Sequence, residues 1–138
     1  MEYISAEEFL KQPNEVQGVF IDWWKPSVGD ICAFKAGHSG YYSWYMSCIQ
    51  CERDIEAKLH EIPLLTEGQL RKFIEDKTGY KVDCDMYDGV YDINICSKGG
   101  RWIKKYECVD DNLLQAYWKV AVETALSIVN EGQSQLIN

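Results

Sequence analysis

The sequence predicts an α+β fold, with antiparallel sheet or sheets carrying helices on one or both faces. Three observations lead there. Segments with apolar residues at helical spacing alternate with segments of period two, in the order ααβββαβββα. Asp88-Gly89 and Gly99-Gly100 separate strand-length runs, as two-residue hairpin turns do. The strands around them alternate apolar and polar residues, so one face needs a helix layer to cover it.

Ser5 with Glu8 is a capping-box pattern and opens a short helix over about residues 5–11. Pro13 suits the first turn of a second helix, in which Val16, Val19, Phe20 and Trp23 share a face. Gly18 weakens that helix and Lys25-Pro26 ends it. Strands are expected from Ile31, after the Val28-Gly29-Asp30 turn, and over Tyr41 to Cys51, with Gly37-His38-Ser39-Gly40 between them. A third strand is expected over Ile55 to His60 from its alternation.

Thr66 and Gln69 form a second capping box, Leu70, Phe73 and Ile74 follow at helical spacing, and Gly79 stands at the C-cap position. The spacing predicts a helix over 67–78 and strands over 80–87, 90–97 and 101–108. Val82, Cys84 and Met86 alternate with charged residues, and Tyr91, Ile93 and Ile95 supply the matching inward face. Trp102, Tyr106 and Cys108 are expected inward on the last strand. A wide apolar stripe from Leu113 to Ile128 marks a final helix ending near Asn130. The 138 residues fit one domain: a helical N-terminus and aromatic strands (1–60), an αβββα unit (61–131) and a polar tail (132–138).

With 14 Lys+Arg against 22 Asp+Glu the formal charge is −8, which disfavours direct nucleic-acid binding. The surplus lies at the two ends, because residues 31–106 hold equal numbers of acids and bases. No stretch reads as a membrane span or a secretory signal, so a cytoplasmic setting with reduced thiols is expected for the six cysteines. P-loop, GxGxxG, HExxH and GxSxG motifs are absent, which removes the common NTPases, dehydrogenases, zinc proteases and serine hydrolases.

The runs Ile62-Pro-Leu-Leu-Thr-Glu-Gly-Gln-Leu-Arg-Lys-Phe-Ile-Glu-Asp to Lys77, and Asp111-Asn-Leu-Leu-Gln-Ala-Tyr-Trp-Lys-Val to Ala121, resemble small uncharacterised open reading frames of phages and prophages of Gram-positive bacteria. The layout between them is similar to the phage α/β/α-sandwich type of small protein. The resemblance covers about residues 60–130 and contributes no catalytic residues. It implies a phage accessory protein made inside an infected host cell.

Five groups of residues are candidates for chemistry. Cys48-Ile-Gln-Cys51 is a CxxC, but zinc needs four ligands and only Cys32, His38 and His60 are at hand. A strand setting also denies the pair the helix N-terminus that activates redox thiols. His38 and His60 have no nucleophile or orienting acid assigned by spacing. Asp83, Asp85, Asp88 and Asp92 form an acidic cluster on one hairpin. It fails the calcium-loop register, with Tyr87 and Asp88 where an acid and Gly belong, and reads either as a solvated face or as a recognition surface for a basic partner. Tyr41, Tyr42, Trp44 and Tyr45 put rings on both faces of one strand, as interface anchors or as covered core. Lys98, Arg101, Lys104 and Lys105 suit a charged edge strand.

These readings lead to a non-catalytic protein, without cofactor, that binds a basic host protein through Asp83, Asp85, Asp88 and Asp92 with Tyr41, Tyr42, Trp44 and Tyr45. Inhibition of a nucleic-acid-handling defence enzyme, in the manner of an anti-CRISPR protein, is the expected role, with a homodimer open. The alternatives are a nucleotide-sequestering or other small-ligand protein, with a pocket between the aromatic strand and a helix, and a metal protein using Cys32, Cys48, Cys51 and a histidine.

Overall fold

A computed structural model describes residues 2–56 and 61–137. The elements are α1 (Ala6–Leu10), α2 (Asn14–Trp23), β1 (Ile31–His38), β2 (Tyr41–Cys48), α3 (Glu52–Glu56), β3 (Ile62–Pro63), α4 (Glu67–Thr78), β4 (Lys81–Tyr87), β5 (Val90–Cys96), β6 (Trp102–Asp110) and α5 (Leu113–Ile137). The class is α+β, with two three-stranded antiparallel sheets in the orders β2-β1-β3 and β4-β5-β6. The chain packs as two compact units, Ile4–Leu65 and Thr66–Asn138 with Met1–Tyr3.

In the first unit, the Ser5 hydroxyl accepts from the Glu8 N–H at 3.2 Å and starts α1. Phe9 and Phe20 meet with ring centroids 6.1 Å apart, joining α1 to α2. Trp24, Cys32 and Ile49 form a small buried cluster with Trp23 and Ile55 against it. Two adjacent tryptophans reach one cluster because α2 ends at Trp23. Trp24 is extended, and its indole donates to Asp30 at 2.9 Å.

The hairpin turn between β1 and β2 uses Ser39 and Gly40, both at positive φ. At Gly37 an added Cβ would lie 2.0 Å from the Tyr41 carbonyl oxygen, so the position admits only glycine.

The strand expected over Ile55 to His60 does not begin at Ile55. Ile55 and Glu56 end α3, and residues 57–60, including His60, lie outside the described residues. The local reason is Asp54, whose carboxylate accepts from the Gln50 N–H at 2.9 Å and closes a helical turn. The third strand is instead Ile62–Pro63, too short to show a period. It pairs with Cys32 and Ala33, and proline is tolerated there because β3 is an edge.

In the second unit, α4 carries the complete capping box. Gln69 N–H donates to Thr66 Oγ1, and Thr66 N–H donates to Gln69 Oε1. Gly79 closes the helix at φ 76°. Leu70, Phe73, Ile74, Val82, Ile93, Ile95, Tyr117, Val120 and Ala121 are buried, as α4 and α5 pack on the sheet face that carries Val82 and Ile95. Burial, with Cys84 beside it, pushes the Tyr117 phenol far up.

Two expectations for this unit are corrected. Trp102 is 58% exposed rather than inward, and Cys108 is exposed too. Register shifts at Ile95/Cys96 and at Tyr91/Ile93 move both off the inner face, and Cys108 takes φ 50°. The polar tail continues as helix to Ile137. Gly132 costs about 1 kcal/mol, which is too little to stop a helix already propagating, and no proline follows.

The start of α5 is held by charge. Asp110 accepts from Lys119 Nζ at 2.9 Å and from the Asn112 N–H at 2.9 Å, and these bonds hold its carboxyl below the usual carboxylate range. A lowered native value means that the pairing stabilises fully above about pH 4 and is lost as pH falls through that lowered value. Asp110→Asn should therefore be less stable than the parent at pH 7, and the difference should shrink as pH falls below about 4, in urea titrations across that range. Thr66→Ala should cost about 1 kcal/mol through the lost cap, read as a lower urea midpoint.

Candidate functional site

The outer face of β4-β5-β6 is built by strand alternation. Val82 and Cys84 point to the helices, so Asp83 and Asp85 point the other way. Across the ladder Asp83 faces Asn94 and Asp85 faces Asp92. Beyond β5, Asn94 faces Lys105. The hairpin turn carries Asp88 at φ 54° and Gly89 at φ 79°, at the end of the same ladder.

Asn94 organises this face. It is only 1% exposed, and its Nδ2 donates to Asp83 Oδ1 at 2.9 Å and to Asp85 Oδ2 at 2.8 Å. Its Oδ1 is buried without a hydrogen-bond partner. Asp92 takes a separate set, accepting from the Cys108 N–H at 2.8 Å, with Lys105 Nζ 3.6 Å away. Lys105 thus pairs with Asp92 while Asp83 and Asp85 share the Asn94 amide, and Asp85 and Asp92 are like charges directly opposed, an arrangement that costs stability. Burial, then Asp83 and Asp85, push the neighbouring Cys96 thiol up.

A depression of about 520 Å³ opens beside this network, lined by Asp85, Tyr87, Asp92, Lys105, Glu107 and Cys108 with Met86. Tyr87 is 79% exposed at its rim. Lys105 also lies 4.6 Å from the centroid of the Trp102 ring, which explains how an exposed tryptophan is held. Spacing singled out the aspartates but not Asn94, Tyr87 or Glu107. The signal for Asn94 was available: it shares the period-two face of Asp92 between two inward isoleucines.

The aromatic strand belongs to the other unit, so the aspartates and the rings stand on separate sheets. Tyr42 and Trp44 lie on one face of β2, and Tyr41 and Tyr45 on the other. All four are exposed, Tyr41 by 86%. Tyr45 stacks on Phe34 at 5.9 Å, and Lys35 lies 5.2 Å from the Tyr42 ring centroid.

The thiol candidates do not assemble. Cys48 closes β2 and Cys51 precedes α3, both exposed, while Cys32 is buried. Cys32 and Cys48 share a depression of about 240 Å³ with Ser47, Ile49, Gln50 and Asp54. Burial, then Cys48, Asp30 and Asp54, raise the Cys32 thiol and keep it protonated. His38 is exposed beside the hairpin tip. Among the described residues no group of three or more His, Cys, Asp or Glu is placed to hold a metal ion.

A depression of about 340 Å³ in the second unit is lined by Lys77, Tyr80, Ile95, Lys104, Tyr106 and Ile128, with no residue of the aromatic strand in its lining. Among the described residues no helix is long and apolar enough to cross a membrane. No family model, curated protein or solved structure matches this chain.

Exposure and thiol acidity together set an order of reactivity. Iodoacetamide at about pH 7.5 should modify the exposed Cys48, Cys51 and Cys108 first and leave Cys32 unmodified until denaturant is added, as read by peptide mass spectrometry.

Proposed function

We propose that the protein acts without catalysis, by seating a cationic side chain of a partner protein on the outer face of β4-β5-β6. The observation that carries this reading is the opposed pair Asp85 and Asp92, which lines the 520 Å³ depression with Glu107 and has one lysine for three acids. A guanidinium entering there relieves the like-charge repulsion and gains charge-assisted hydrogen bonds. Tyr87 offers it a ring face at the rim.

An acidic surface of this kind competes for the basic groove of a nucleic-acid-handling enzyme. In the phage setting that the sequence resemblance implies, the partner is a host defence enzyme, and the role is inhibition of the anti-CRISPR type. Asp83 and Asp85, fixed by Asn94, present their remaining lone pairs outward. The partner's own positive charge supplies the steering, so association is fast at low salt and slows as salt rises.

A fluorescent nona-arginine peptide tests the site directly. Binding should weaken steeply between about 50 mM and 500 mM salt. The double variant Asp85→Asn/Asp92→Asn should bind at least about tenfold more weakly, about 1.4 kcal/mol. Glu15→Gln/Glu123→Gln, with the same net charge, should bind like the parent. Equal affinities for the two double variants would mean that only overall charge is being read, and the reading falls.

A further inference from the structure

The helix-covered face of β4-β5-β6 departs from its apolar pattern on β6. Ile93 pairs with Tyr106 and Ile95 with Lys104, so Tyr106 and Lys104 stand on the side where α4 and α5 pack. A lysine there breaks the alternation that fills this face with Val82, Ile93 and Ile95. Breaks of this kind concentrate at functional or strained places.

Lys104 is exposed, and it lines the depression of about 340 Å³. A second exposed lysine reaches the same lining from another element, Lys77 in the last turn of α4. Among the described residues Glu131 is the one acid of the lining, and neither lysine enters an ion pair. Lys104 Nζ lies 4.7 Å from the centroid of the Tyr106 ring. Ile95, Ile103 and Ile128 make the apolar part of the lining, with Tyr80 and Tyr106 as its rings. Ile103 is 46% exposed and Tyr80 39%, so this apolar surface is open to solvent. An inward charge protects an edge strand, and a lysine suits a helix C-terminus. Neither use requires two such lysines to share one hollow with three isoleucines.

We infer that this depression binds a small organic anion with an aromatic body, of the aryl carboxylate class. The carboxylate takes charge-assisted hydrogen bonds from Lys77 and Lys104, and the ring covers the isoleucines beside the two tyrosines. Charge balance selects an anion. The depression beside Asp85 and Asp92 sets three acids against one lysine, and here two lysines stand against one glutamate. The apolar lining selects an organic body, because a bare inorganic ion would leave the isoleucines and rings in water. The volume selects a small one, at the lower end of ligand pockets. The site is separate from the acidic face, since Lys104 and Lys105 alternate to opposite sides of the sheet.

Naphthoate, its neutral analogue naphthamide, and acetate separate ring from charge. In heteronuclear NMR titrations of the full chain, naphthoate should bind with a Kd of about 1 mM or tighter and shift the amides of residues 77–80, 103–106 and 124–131. Naphthamide should bind at least about tenfold more weakly, and acetate should leave these amides unmoved. Lys77→Gln and Lys104→Gln should each weaken naphthoate at least about fivefold, while Lys98→Gln, an equal charge change in an exposed turn, should bind like the parent. All three lysines are exposed, so each variant keeps the fold. Naphthamide or acetate binding as tightly as naphthoate overturns the inference. So do equal affinities for the three lysine variants, shifts confined to other segments, or no binding at about 5 mM naphthoate. Arginine-peptide binding by Lys77→Gln should match the parent's, so failure of either reading leaves the other standing.

Discussion

A sheet covered by helices on one side has to hold its other side together with polar chemistry. In β4-β5-β6 that task falls to one amide. Asn94 lies on the face opposite Ile93 and Ile95, and its two N–H bonds tie Asp83 and Asp85 to the central strand. Two carboxylates that would otherwise repel each other are held at a shared donor. Asp92, directly across from Asp85, needs a different solution and takes the Cys108 N–H and Lys105. The unusual φ of Cys108 and the exposed Trp102 both follow from the bulged path of β6, which brings these donors within reach.

The two sheets handle exposed surface by opposite means. One uses charge, with acids on β4 and lysines on β6, which keeps its edges from pairing. The other ends in a strand of tyrosine, tryptophan, serine and methionine, with no charge at all. Strand propensity is high in both, so propensity does not distinguish them. What differs is the chemistry of the strands themselves: fixed negative charge on β4 and β5, neutral rings on β2.

Much of the fold was legible because its signals are local. Thr66 with Gln69 and Gly79 fixed both ends of α4, and Asp88-Gly89 fixed the hairpin of β4 and β5. The failures have equally physical causes. The alternation at residues 55–59 resembled a strand, but the Asp54 carboxylate closes a turn that period counting does not register. Trp102 was expected inward because a bulge, which shifts register by one residue, leaves no mark in an alternating pattern. Asn94 was passed over because a single amide among apolar residues has no meaning until its cross-strand neighbours are known.

The sequence by itself determined the α+β class, the positions of the main helices and hairpins, the acidic surplus and the charge-free run from Tyr41 to Cys51. Those depend on neighbours a few residues away or on simple counting. Only the tertiary structure decided that there are two sheets, that β3 is the two-residue Ile62–Pro63, that Asp85 faces Asp92, and that β2 is an edge. Register and edge position are set by pairing between segments far apart in the chain, and no local preference encodes which strand ends a sheet.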